Sequence, residues 1–295
     1  MNTVRSFITR KAFITRTAIV LAAVLAAGAA LGQTEAQRAV PAQRAAPAQM
    51  QPETINIPLS RPGEPMSLSI DALSARIEVI GEERKDVELK VTLSAGRRKI
   101  VTPSGAKMLA GGGGLEISER DNRVNVESEL PTGTISVVAR VPRRAKLDLS
   151  TVNESEIVVR DIVGDLQLEN VNGPITATNI TGSVIAESVN NPITVGLAGV
   201  AAGAATSLSS LNGDITLTLP AATRAELHLD TSQGEITSDF ELDIKPSKPL
   251  IERKEGRGGV SVRMEDVIVA TVNGGGPVIR VKTLNGGIKI AKAGS

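Results

Sequence analysis

Residues 166–177 read LQLENVNGPITA, residues 184–195 read VIAESVNNPITV, and residues 206–217 read TSLSSLNGDITL. The same phrase returns near the C-terminus as residues 279–290, IRVKTLNGGIKI. In each, polar and small or aliphatic residues alternate up to an Asn, the chain turns, and a second alternating segment opens on Ile. Period-two alternation over runs this short is the mark of half-buried strands.

With the turn Asn as position zero, the series is Asn153, Asn172, Asn190, Asn212, Asn273 and Asn285, with Gln233 substituting once. Six residues earlier stand Leu147, Leu166, Val184, Thr206, Leu227, Val267 and Ile279, and four earlier Leu149, Leu168, Ala186, Leu208, Leu229, Val269 and Val281. Immediately before the turn come Val152, Val171, Val189, Leu211, Ser232, Val272 and Leu284. Three residues after it come Ile175, Ile193, Ile215, Ile236 and Ile288, with Ala177, Val195, Leu217, Ser238 and Ile290 two further on. The first four intervals are 19, 18, 22 and 21 residues. A period of about 20 residues signals a stacked repeat protein.

Two architectures compete. Asn-Gly between alternating strands is a hairpin signal and would give an antiparallel meander. In a two-residue hairpin the residue before the Asn faces the residue after the Gly, here Pro174, Pro192, Asp214, Glu235 or Gly287. That sets an aliphatic residue against a polar one on the face away from the core. A corner that points the aliphatic residue inward, with Asn or Gly at φ > 0, removes the conflict. The expectation is therefore all-β, favouring a β-solenoid, or β-helix-like stack of repeats, over a meander or sandwich. The repeat turns are then Asn153, Asn172-Gly173, Asn190, Asn212-Gly213, Asn273-Gly274 and Asn285-Gly286. Each buried aliphatic side chain contributes about 1.5–3 kcal/mol, but only when stacked on a neighbouring coil.

Working outward, residues 146–291 hold the repeats, and residues 53–145 form a strand-rich N-terminal region that caps them. Alternation at residues 67–70, 75–80, 87–93, 115–117, 124–126 and 134–141 places strands there. Residues 245–259 (KPSKPLIERKEGRGG) read as a charged loop between strands. Lys289 and Lys292, on the last strand, read as protection of an exposed sheet edge.

The first 32 residues have the layout of a secretory signal peptide. Arg5, Arg10, Lys11 and Arg16 precede an apolar run at residues 17–31, with small residues at Ala30 and Gly32. The run falls short of the roughly 20 apolar residues that span a membrane, so the membrane is touched only in passing during export. Residues 33–52, built from Ala, Gln, Pro and Arg, read as a disordered linker. The whole chain has 33 basic and 32 acidic residues; without residues 1–32 it has 29 against 32, a balance of −3. No electrostatic footprint for nucleic acid results.

Composition closes off several chemistries. There is no Cys, Trp or Tyr, there are three Phe, and the one His is His228. Disulfides and thiolate metal sites are out, as are aromatic platforms for sugars or bases, and a His-based metal site or a Ser-His-Asp arrangement would have to rest on His228 alone.

The string VATVNGGGPVIRVKTLNGGIKI at residues 269–290, with LNGDITL and VNGPITA upstream, resembles a large bacterial β-strand-repeat family. ARIEVIGEERKDVELKV at residues 75–91 is similar to that family's opening strands. The family has no assigned function and carries the label "putative adhesin". The resemblance implies an exported or membrane-associated protein with a β-helix-like fold, and brings no catalytic residues with it.

No other motif outweighs a structural explanation. The Asn series reads as a corner ladder satisfying turn groups. Gly111–Gly114 lacks the Gly-Lys-Ser/Thr of a phosphate loop and reads as a flexible turn. Asp214 alone places an acid in an Asn-Gly turn, too few for a calcium roll. Glu116, Glu119, Asp121, Asp148, Asp161, Asp165 and Glu169 keep a paired-carboxylate enzyme in view. No cofactor and no metal is expected. The favoured role is a non-catalytic, adhesin-like surface or envelope interaction module, exported to periplasm or cell surface, whose partner is an envelope protein or polysaccharide. The alternatives are a polysaccharide lyase or glycosidase, or an envelope-stress accessory protein.

Overall fold

The computed structural model describes residues 52–93, 115–128, 134–153, 156–200, 203–245, 250–256, 259–265 and 267–294. The expected signal peptide, the linker as far as residue 51 and the Gly111–Gly114 run lie outside these residues. Every regular element among the described residues is a strand.

The first seven are β1 (Glu53–Pro58), β2 (Met66–Ala72), β3 (Ala75–Glu82), β4 (Asp86–Leu93), β5 (Leu115–Arg120), β6 (Arg123–Ser128) and β7 (Ile135–Pro142). Eight short strands follow: β8 (Ala145–Thr151), β9 (Ile157–Arg160), β10 (Leu166–Asn170), β11 (Ile175–Thr181), β12 (Val184–Ser188), β13 (Ile193–Gly199), β14 (Thr206–Ser210) and β15 (Ile215–Leu219). The last eight are β16 (Ala225–Gln233), β17 (Ile236–Ser238), β18 (Asp243–Lys245), β19 (Leu250–Gly256), β20 (Gly259–Glu265), β21 (Ile268–Val272), β22 (Val278–Asn285) and β23 (Ile288–Lys292).

From β8 to β15 the chain alternates between two mixed sheets, neither of which closes on itself. The even-numbered strands of this stretch lie in an eleven-stranded sheet and the odd-numbered ones in a ten-stranded sheet. Each pairs in parallel with the next strand but one, so equivalent residues stand side by side: Leu166 beside Val184 beside Thr206, and Ile175 beside Ile193 beside Ile215. The antiparallel meander is therefore not how these repeats pair. The ends differ. There β1–β4–β7 and β5–β6 pair antiparallel, as do β16–β21–β18.

Position in the chain does not set position in the sheet. β22 lies between β14 and β16, and β23 between β15 and β17. At the other end β2 lies between β6 and β8, and β3 between β7 and β9.

Three sequence readings are corrected by this. Lys289 and Lys292 lie on a strand paired on both sides, so they guard no edge. Asn273 and Gly274 follow the antiparallel β21, so they do not turn a repeat; Asn273 sits at φ 48° and donates to the carbonyls of Ala221 and Thr223. Within residues 245–259, the chain from Leu250 onward is not a loop: it enters β19, which pairs with β20 in a two-stranded antiparallel sheet of its own.

Aliphatic side chains from both large sheets form one core, with Ile175, Ile193 and Ile215 fully buried. The residue before the turn Asn is not in it. Leu211 and Leu284 are 43% and 37% exposed, and Val152, Val171 and Val189 are half-buried. One position earlier, Thr151, Asn170, Ser188, Ser210 and Thr283 are buried instead. The period-two phase set by the strand simply continues, so a small polar residue faces inward and the aliphatic one faces out. The premise that told against hairpins was wrong, although the strands do pair in parallel.

Candidate functional site: a grooved face of the eleven-stranded sheet

Where β10, β12, β14, β16 and β22 of this sheet end, neighbouring turns are joined by three layers of contact. The outermost is a ladder of amides. Asn190 Nδ2 donates to Asn172 Oδ1 at 2.8 Å, Asn212 to Asn190 at 3.0 Å, and Asn285 to Asn212 at 2.7 Å. The ladder steps from Asn212 straight to Asn285 and skips the Gln233 position, because β22 rather than β16 lies beside β14. Asn153 enters the same corner through its backbone N–H, which donates to Leu73 O at 2.8 Å.

Beneath the amides, buried and half-buried hydroxyls satisfy the turn backbone. Ser188 Oγ donates to Asn191 O at 2.9 Å, Thr283 Oγ1 to Gly213 O at 3.0 Å, and Thr231 Oγ1 to Gly286 O at 2.8 Å. A buried carbonyl left unpaired would cost about 1–3 kcal/mol, which is the physical reason for a hydroxyl at Ser188, Thr231 and Thr283. Ser210 Oγ, in the same column, has no such partner among the described residues.

The third layer is backbone against backbone. A Cβ at Gly213 would meet Asn191 O at 2.2 Å, and one at Gly286 would meet Gly213 O at 2.4 Å. Neither glycine has a positive φ, nor do Asn172, Asn190, Asn212 or Asn285, which corrects the expectation of left-handed turn residues. Glycine is needed here because coils approach too closely for any side chain. The left-handed residues sit at the opposite corner: Asp161 (φ 59°) and Asn179 (φ 57°), whose side chains are hydrogen-bonded to each other. Sequence reasoning missed this second corner, although the two residues are one 18-residue period apart.

These layers fix what faces solvent. Outside the sheet, Val152, Val171, Val189, Leu211 and Leu284 form an aliphatic ridge, to which the neighbouring coil adds Leu73, 50% exposed. Parallel to it run Ser150, Glu169, Glu187, Ser209, Lys282 and Asp230, register partners on successive strands. Between ridge and polar column lies an open groove of about 500 Å³. Its floor carries Thr151, Asn170, Ser188 and Ser210. Glu169 accepts from Gln167 at 2.9 Å, and Lys282 pairs with Asp230 at 2.8 Å.

The remaining candidates scatter. Glu116 is exposed on β5, while Glu119 accepts from Ser60 Oγ and from the Ser60 and Asn122 amides. Partial burial pushes the Glu119 carboxyl up, but those hydrogen bonds outweigh it and leave its pKa below the ordinary glutamate value. Asp121 sits in the β5–β6 turn at φ 54°; Asp148 faces outward from β8, and Asp165 is exposed just before β10. His228 faces outward from β16 and hydrogen-bonds Glu226 at 2.8 Å. Lys245 Nζ donates to the same glutamate at 2.6 Å, and these two partners, Lys245 first, lower the Glu226 pKa. Asp214 caps the neighbouring turn, accepting from the Gly287 amide at 2.7 Å. No group of three or more candidate metal ligands occurs among the described residues.

No family model and no curated protein matches the chain. Among solved structures it is similar to a "putative cell adhesion protein" from Clostridium sporogenes, at 11% identity and TM-score 0.43, over 82% of this chain and 100% of that one. A "putative adhesin" from Bacteroides fragilis is similar at 11% identity and TM-score 0.39, over 81% and 97% of the two chains. Another from Parabacteroides merdae gives 8% identity and TM-score 0.25, over 81% and 96%.

Proposed function

We propose that this chain is an exported, non-catalytic β-solenoid that serves as an adhesin-like interaction module at the cell surface or within the envelope. The observation that carries the reading is the groove with its aliphatic ridge, built in register by five strands of one sheet. Exposed and half-buried aliphatics at one position beside five neighbouring strands form an apolar strip, the kind of patch that marks an interaction surface. The polar column beside it supplies hydrogen-bonding groups for an envelope protein or a polysaccharide lying across the coils.

The test is retention of the purified protein on envelope fractions. Val171→Glu combined with Leu211→Glu charges the ridge without touching the core and is expected to abolish retention. Retention unchanged by that pair, or absent from the start, would refute the reading.

One feature favours a second role. Glu169 and Glu187 face the groove as register partners on adjacent strands, and a carboxylate pair is what a glycosidase employs. Release of new reducing ends from a polysaccharide panel, lost in Glu187→Gln, would establish it; no release from any member of the panel would dismiss it.

A further inference from the structure

β22 and β23 come last in the chain, yet neither lies at a sheet edge. The strands that flank them, β14–β15 on one side and β16–β17 on the other, are finished by Ser238. The chain then departs through β18 to β21 before it returns at Val278 to fill the place between them. A slot bounded by earlier strands is thus occupied by a later segment.

The segment is specified entirely by contacts inside the slot. Ile279, Val281, Ile288 and Ile290 are buried among the equivalent residues of the flanking coils. Asn285 joins the amide ladder, Thr283 satisfies Gly213 O, and the Gly287 amide donates to Asp214. None of these contacts depends on which chain supplies the strands. The return path is a glycine hinge, residues 273–277, with Asn273, Gly274 and Gly275 at φ 48°, 83° and 82°.

We propose that β22–β23 is an exchangeable strand pair, and that the slot between β14–β15 and β16–β17 accepts the same pair from a second copy of this chain. Reciprocal insertion preserves every slot contact and alters only the path of the hinge, the condition under which swapping is a low-cost route to a dimer. A connection this short holds a chain's own β22–β23 at an effective concentration in the millimolar range. Closure within one chain therefore prevails in dilute solution, and exchange grows as protein concentration rises during folding.

The absence of native cysteine makes the test clean. Ser209 and Lys282 are register partners on the outward face of β14 and β22. Chains bearing only Ser209→Cys and chains bearing only Lys282→Cys, with tags of different size, are mixed, unfolded, refolded together and oxidised. The expected result is a mixed-size disulfide dimer whose yield rises with refolding concentration, and rises several-fold further when Gly274 and Gly275 are deleted. The double variant, refolded dilute, should close as an internally crosslinked monomer, showing that the geometry admits the bond. If it fails to fold or to close, Thr216→Cys with Lys289→Cys supplies the corresponding pair on the other sheet. Monomeric, unlinked single variants at the highest concentration, beside an internally closed double variant, would overturn the proposal. So would an equal dimer yield from the mismatched pair Ser209→Cys and Lys289→Cys.

Discussion

Thr283 Oγ1 donates a buried hydrogen bond of 3.0 Å to the carbonyl oxygen of Gly213, across 70 positions of sequence. The bond joins the last coil of the chain to a turn that precedes it in the stack, and neither partner reaches water. Thr283→Val keeps the shape and removes the donor, leaving the carbonyl orphaned. A loss of about 1–3 kcal/mol is expected in chemical denaturation. A change within error would mean that the hydroxyl does not hold this turn.

Core register is tested by neighbours. Ile215 is fully buried, whereas Thr216 faces outward beside Thr194 and Lys289. Ile215→Asp places an unpaired carboxylate in the core, at a cost of several kcal/mol, and should prevent folding of the repeats. Thr216→Asp should shift the midpoint by less than about 0.5 kcal/mol, as surface changes do. Circular dichroism of the two variants gives the answer; equal damage would refute the assigned faces.

Gly213→Ala tests the close approach of coils. The added Cβ would lie 2.2 Å from Asn191 O, a backbone atom with no flexible end to yield. The turn must shift, breaking the amide ladder on both sides, and a loss of about 1–3 kcal/mol is expected. A neutral substitution would show that the coils can separate locally at no cost.

Glu226 provides a pH signature. Hydrogen bonds from Lys245 and His228 depress its folded pKa below the unfolded value, so its contribution to stability is present above the unfolded value. That contribution is lost as pH falls through the lower, folded value. Lys245→Ala removes the larger cause and should raise the Glu226 pKa measured by NMR titration. An unchanged titration would show that the Lys245 contact is not formed in solution.

Strand content and the inward columns were legible before any coordinates. Ile175, Ile193 and Ile215, or Leu149 and Leu168, lie where alternation puts them, because a strand sends successive side chains to opposite faces whatever its partners. The aliphatic character of Val171 and Leu211 misled the reading of the corner, yet the signal against it was present. Thr151, Asn170, Ser188, Ser210, Thr231 and Thr283 make a small polar column just inside the turn. The roles of Ser188, Thr283 and Thr231 made sense only once the carbonyls of Asn191, Gly213 and Gly286 were seen to need donors.

The sequence by itself determined an all-β chain and set the inward and outward faces of the strands from β8 to β15. Only the tertiary structure decided which coil lies beside which: that Asn285 follows Asn212 in the ladder, and that β22 enters between β14 and β16. Alternation is dictated by the local backbone, whereas strand pairing is settled between residues scores of positions apart. Near-identical repeats carry nearly the same inward pattern, so that pattern cannot rank one neighbour above another. The choice falls to tight contacts at the turns, such as Gly286 lying against Gly213 O, which exist only when the coils are stacked.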